Sequence, residues 1–271
     1  MTRDHLKALL EALLVTFLWS SSYILVKIGL GEISPITLVA LRYITASVIL
    51  VPLAVRRGLT PELRQHWPSF ILLGLLGYTV AQGLQCVGLF HLPAVSVTFI
   101  LNFSPLIVIA LSYLLYMEKP TGIQLAGVTL VITGAYLYFQ GRLSYNTTGF
   151  TITLASGVGW AAYLVLSKRL FKKQQVTPLS LTAYSMAAGT TGMALAALTM
   201  ENIPEISLNG WAIILWLGLV NTALAFFLLN RALQRLTAFE LSILQNTMLI
   251  QIALLDGCSS ENLSHRTKYY Q

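Results

Sequence analysis

Apolar residues run in long, nearly continuous stretches from about residue 9 to about residue 255, interrupted only by short polar joints. About 18 to 20 apolar residues in helical form cross a ~30 Å hydrocarbon layer. Nine stretches reach that length, at roughly 9–29, 36–55, 68–88, 94–116, 122–140, 149–167, 178–199, 210–230 and 237–255. They are too long and too continuous for the ~10-residue alternating segments of a membrane barrel. The pattern therefore predicts an all-α polytopic membrane protein with about nine transmembrane helices. The first stretch follows the polar start Met1–Lys7 and exceeds the core of a cleaved signal peptide, so it reads as a retained anchor.

Composition supports the pattern. Of 271 residues, 56% are hydrophobic and 10% charged, and the two cysteines have no metal-ligand or disulfide spacing. The net charge of +7 could suggest a nucleic-acid partner, but its placement has a topological cause. With the N-terminus cytoplasmic, most of the basic residues, among them Arg56, Arg57, Lys168, Lys172, Arg231 and Arg235, fall in segments on that side. Arg142 and the two cations of the C-terminal tail fall on the other side. No nucleic acid is expected; the lipid bilayer is.

Residues 67–102 and 211–246 align without a gap at an offset of 144, with Trp67/Trp211, Gly74/Gly218 and Asn102/Asn246 among the identities. Earlier in each half, Trp19 and Lys27 match Trp160 and Lys168 at an offset of 141, and Ser34-Pro35 matches Thr177-Pro178 at 143. The first unit has five helices, an odd number, so the second enters the membrane upside down. This predicts two inverted five-helix repeats, 1–141 and 142–255, the second lacking its last helix, and a polar aberrant tail at 256–271. Inverted repeats underlie alternating access, because two equivalent packings expose one central site to either side.

The five-helix repeat, WSSSY in the first helix, SPITLVALRY (34–43) and NFSPLIVIALSYLLYMEKPTGIQLAGVTLVITGAYL (102–137) resemble the EamA family of the drug/metabolite transporter superfamily. The motif residues are Pro35, Pro105, Glu118, Gly127 and Gly134. The resemblance implies a ten-helix carrier with both termini cytoplasmic, moving a small metabolite across a bacterial inner membrane. The tail departs from that pattern: by the repeat, Asn262 stands where Glu118 has its counterpart, and no tenth helix follows. A truncated or frame-shifted carrier is the expectation, with a nine-helix form completed by a homodimer as the other reading.

Polar groups near the midplane are costly and mark either a site or interhelical contacts. The substrate-lining candidates are Trp19, Ser20, Ser21 and Tyr23 on the first helix, Arg42 on the second, Gln82 on the third, Asn102 on the fourth, Trp160 and Tyr163 on the sixth and Asn246 on the ninth. The serines and the repeat-related asparagines could equally be interhelical packing residues, and Arg42 could snorkel to the interface. Gly127 and Gly134, with the Ala188-x3-Gly192-x3-Ala196 run, suggest smooth faces for close helix packing.

No phosphate-binding loop, HExxH pair or cluster of acids within a helix is present, so neither an ATPase nor a membrane-embedded enzyme is expected, and no cofactor or metal. A secondary carrier exporting a small solute such as an amino acid, nucleoside or drug-like molecule is the leading function, driven by a proton or ion gradient. A truncated non-functional carrier or a non-transporting scaffold is the alternative.

Overall fold

The computed structural model describes residues 3–116, 121–139, 146–202, 205–252 and 254, and all regular structure among them is helical. In chain order the helices are α1 (Arg3–Gly29), α2 (Pro35–Arg56), α3 (Thr60–His91), α4 (Ala94–Leu115), α5 (Gly122–Phe139), α6 (Thr147–Lys172), α7 (Pro178–Met200), α8 (Leu208–Arg235) and α9 (Ala238–Gln245). Helical backbone resumes at 247–252 after a turn at Asn246. Glu118 and the tail at 256–271 lie outside the described residues.

Among the described residues each of the nine apolar stretches is helical over most of its length, but only six helices there, α1, α2, α3, α4, α6 and α8, are long and apolar enough by themselves to span a membrane. α7 has the length, 23 residues, but is diluted by hydroxyl residues and glycines. It tolerates them because it is buried against α2, α3 and α8, and hydroxyls such as Thr182 and Thr199 donate to carbonyls of the preceding turn. The described part of α9 is short, and α5 lies at the periphery, exposing Leu125, Leu130, Tyr136 and Leu137.

Helices α3 and α8 each contain a π segment, Leu75–Gln82 and Leu219–Leu224, which begin 144 residues apart and directly follow Gly74 and Gly218. Both glycines mark backbone-to-backbone contact. A Cβ on Gly74 would collide with the Ser185 carbonyl of α7, and one on Gly218 would lie 3.0 Å from the Arg42 carbonyl of α2. Helix backbones therefore approach closely at these glycines, as they do at Gly159 and Gly189. On α5, among the described residues, a Cβ on Gly127 would meet only Ile243, at 3.9 Å, and one on Gly134 would have nothing within 4 Å.

α2 and α7 pack along each other, and one carboxylate ties each end of the pair. Glu201, just past α7, accepts from the backbone N–H groups of Ile36 (3.1 Å) and Thr37 (2.7 Å) at the start of α2. Glu62, at the start of α3, accepts from the Thr177 N–H (2.7 Å) and the Ser180 hydroxyl at the start of α7. These acids satisfy orphan donors and oppose the positive helix ends. Between the two ends, the hydroxyls of Ser47 and Thr190 share a hydrogen bond at 3.0 Å.

The N-terminal face of the bundle is marked by Arg231 paired with Glu11 (2.9 and 2.7 Å) and Arg235 near Asp4 (3.6 Å). Toward the opposite face, the Lys27 ammonium donates to the carbonyls of Leu89 and Leu92 at the end of α3. Lys168 does the same toward the N-terminal face, donating to Leu233 (2.9 Å) at the end of α8.

Candidate substrate cavity

Between α1, α2, α3, α4, α6 and α9 lies a cavity lined by residues of both halves of the chain. Its wall follows helical phase. On α1 the lining positions are Trp19, Ser22, Tyr23 and Val26; on α2 Val39, Arg42 and Tyr43; on α3 Gln82, Gln85, Cys86 and Leu89. In each case the spacing is three, four or seven residues, one face of a helix.

Two tryptophans, one from each half of the chain, meet in the wall. The Trp19 and Trp160 rings stand edge to face at a centroid distance of 5.6 Å, and Trp160 stacks on Tyr163 at 5.3 Å. Each indole N–H is fixed, Trp19 donating to the Asn221 carbonyl (3.1 Å) and Trp160 to the Gln245 side-chain oxygen (2.9 Å). Tyr23 accepts from the Gln85 amide at 2.5 Å.

Arg42 is only 6% exposed. Its Nε donates to the Thr222 hydroxyl and its Nη2 to the Asn221 carbonyl (3.2 Å), both on the π segment of α8. Among the described residues no carboxylate pairs with it, and no Asp or Glu stands among the cavity-lining residues. Arg42 thus faces the cavity and does not snorkel to the interface. Among the described residues, three buried polar atoms on lining residues have no hydrogen-bond partner: Tyr43 OH, Asn102 Nδ2 and Gln245 Nε2. Each unsatisfied group of this kind costs about 1–3 kcal/mol, which a hydrogen-bonding solute would recover.

Seven of the ten predicted lining residues meet here: Trp19, Tyr23, Arg42, Gln82, Asn102, Trp160 and Asn246. Asn102 and Asn246 end short helical segments in matching conformations, and Asn246 Nδ2 reaches the Asn102 carbonyl at 3.4 Å. The other three stand behind the wall. Ser20 donates to the Thr16 carbonyl (2.8 Å) and reaches Gln251 (2.7 Å), while Ser21 donates to the Leu18 carbonyl (2.7 Å). A rotation of about 100° per residue carries both away from the face that Trp19 sets. Tyr163 lies one layer deeper, bonded to Tyr78 (3.0 Å) and Asn230 (2.7 Å). The hydroxyls of Ser22, Ser156 and Ser242 also line the cavity, and the 3.6-residue period counted from Trp19 and Trp160 is the signal that finds the first two.

The described residues hold no group of three His, Cys, Asp or Glu side chains that could bind a metal. Comparison with known proteins agrees with a carrier. The profile of the EamA-like transporter family matches twice, over residues 6–140 and 147–264. The chain belongs to the EamA-like transporter family. It is an integral membrane protein of transporter type, in contact with the bilayer and with a small solute.

Among the relatives of this family member is an uncharacterized transporter of Bacillus subtilis, 27% identical over 92% of this chain and 87% of its own length. A probable terminal-alkyne amino-acid exporter of Streptantibioticus cattleyicolor is 27% identical over 85% of this chain and 78% of its own length. A probable amino-acid metabolite efflux pump of Salmonella typhimurium is 26% identical over 72% of this chain and 65% of its own length. A solved crystal structure superposes with a TM-score of 0.77 at 21% identity, covering 93% of this chain and 88% of its own, which shows the shared fold.

Proposed function

We propose that this EamA-like protein is a secondary carrier that exports an amino-acid-like metabolite bearing a carboxylate across a bacterial inner membrane, with its N-terminus cytoplasmic. The observation that carries the reading is Arg42: a permanently charged guanidinium, buried at the cavity wall with no carboxylate partner among the described residues. A buried charge without a counter-charge is expensive, and a substrate carboxylate is the group that would compensate it. The two tryptophan rings offer an apolar and cation-attracting surface to the rest of such a solute, and the unpaired amides offer it hydrogen bonds. The amino-acid names of two relatives favour the same class.

Alternating access by inverted repeats is the proposed mechanism. Supporting it are the π segments offset by 144 residues, and the lysines Lys27 and Lys168 serving the repeat-related carbonyls of Leu89 and Leu233. Ser47 and Thr190, equivalent by the 143-residue offset, touch each other as residues on a pseudo-two-fold axis do.

Purified protein in vesicles tests this. Saturable flux of amino acids should appear, accelerated by an imposed proton or ion gradient and competed by free α-carboxylates but not by the matching amides. Arg42→Lys, which keeps the charge but loses the planar fork, should lower apparent affinity about 10- to 100-fold. Absence of flux for every solute in a panel, from folded protein, would overturn the carrier reading.

A further inference from the structure

We infer that Thr222 and Asn221, on the π segment of α8, are positioning residues that aim Arg42 into the cavity and lock it to Trp19. The inference rests on the proposed role of Arg42 as the carboxylate contact and assigns a purpose to the irregular turn opposite it.

Several threonine hydroxyls in the α-helical parts of this chain donate to carbonyls three or four residues back, as Thr45 does to Leu41, Thr98 to Ala94 and Thr153 to Gly149. Thr222 donates to Leu217, five residues back, at 2.8 Å. That reach matches the i to i+5 spacing of a widened turn. With its one proton committed to the Leu217 carbonyl, the Thr222 oxygen can only accept, and the Arg42 Nε–H is what it accepts from.

Next to it, the Asn221 carbonyl accepts from two cavity residues at once, Trp19 Nε1 at 3.1 Å and Arg42 Nη2 at 3.2 Å. A carbonyl has two lone pairs and can serve both. The Asn221 side chain completes the hold by donating to the Leu18 carbonyl at 2.5 Å, so that one residue grips α1 immediately before Trp19 and also through its ring. Asn221 and Thr222 are fully buried and absent from the cavity wall, so they act through Arg42 and Trp19.

The geometry of the guanidinium gives this arrangement a direction. Nε–H and the neighbouring Nη2–H form one edge of the fork, and both are spent on α8. The terminal edge, Nη1 with the second Nη2 proton, has no partner among the described residues. A carboxylate binds Arg most specifically through two parallel N–H groups on one edge. Tying the inner edge therefore presents the terminal edge as the single bidentate seat, without the rotamer freedom that a long side chain otherwise loses on binding.

The test uses full-length protein in vesicles and compares an amino acid with its carboxamide as competitor. Thr222→Val removes the acceptor at nearly constant volume. It should raise the half-saturating concentration for the carboxylate about tenfold, leaving the maximal rate within about twofold and reducing discrimination against the amide. Thr222→Ser should stay within about threefold of the parent. In an Arg42→Lys background, Thr222→Val should have little further effect, because the fork it aims is gone. If Thr222→Val does not accumulate in the membrane, Thr222→Ala carries the same expectations. An equal loss in both backgrounds, or a fall in maximal rate with affinity unchanged, would show that Thr222 merely holds helices together and would overturn the inference. Failure of the parent protein to distinguish acid from amide would instead overturn the carboxylate reading itself.

Discussion

Gly77 sits under the ring of Tyr163, where an added Cβ would overlap the ring carbons. Tyr163 cannot move aside easily, since it is fully buried, stacked on Trp160 and hydrogen-bonded to Tyr78 and Asn230. Gly77→Ala should therefore lower stability by about 1–3 kcal/mol, the usual cost of overpacking, visible as a lower unfolding temperature in detergent. Gly134→Ala, with no described atom within 4 Å of the added Cβ, should change that temperature little and serves as the control. At this scale the sequence was informative about which residues are unusual and less so about where they point. Trp19 and Arg42 stand out against apolar neighbours. The helical period picks Ser22 over Ser20 and Ser21 only once Trp19 is known to face the cavity, and that facing depends on the helices packed around α1.

At the scale of helices, the α2 and α7 pair is held at both ends by carboxylates from outside the helix being capped. Glu201→Gln should weaken the hold on the Ile36 and Thr37 N–H groups by about 1 kcal/mol, and Glu201→Ala by up to about 2. Glu62→Ala should do the same at the other end. Faster limited proteolysis near 32–36 for the first and near 174–178 for the second would report each loss locally. Ser34-Pro35 and Thr177-Pro178 were readable as helix starts, because proline at the first turn needs no N–H partner. The acids that cap them come from 115 to 165 residues away and follow no local rule. The π segments were likewise invisible in the apolar pattern. They arise where Gly74 and Gly218 bring two backbones together, and only the neighbouring helices reveal that need.

For the whole molecule, the ion pairs of Arg231 with Glu11 and of Arg235 with Asp4 gather charge on the face that carries the N-terminus. With that face cytoplasmic, a cysteine introduced at Arg57 should be reached by an impermeant thiol reagent only in inverted vesicles. One at Leu208, 86% exposed on the opposite face, should be reached only from outside, both in a background lacking Cys86 and Cys258. The reverse pattern would overturn the orientation.

Hydrophobic run length determined the fold class and the order of helices, since it depends on the chain's own periodicity against a bilayer of fixed thickness, and the family was legible through the motifs that resemble it. The tertiary structure decided which polar residues share a cavity, that Arg42 has no acid beside it among the described residues, and that a widened turn on α8 holds it there. Those facts depend on side chains from helices up to about 200 residues apart meeting within hydrogen-bond distance, as Trp19 and Asn221 do. Linear spacing sets the face a residue occupies on its own helix, but not which helix that face will meet.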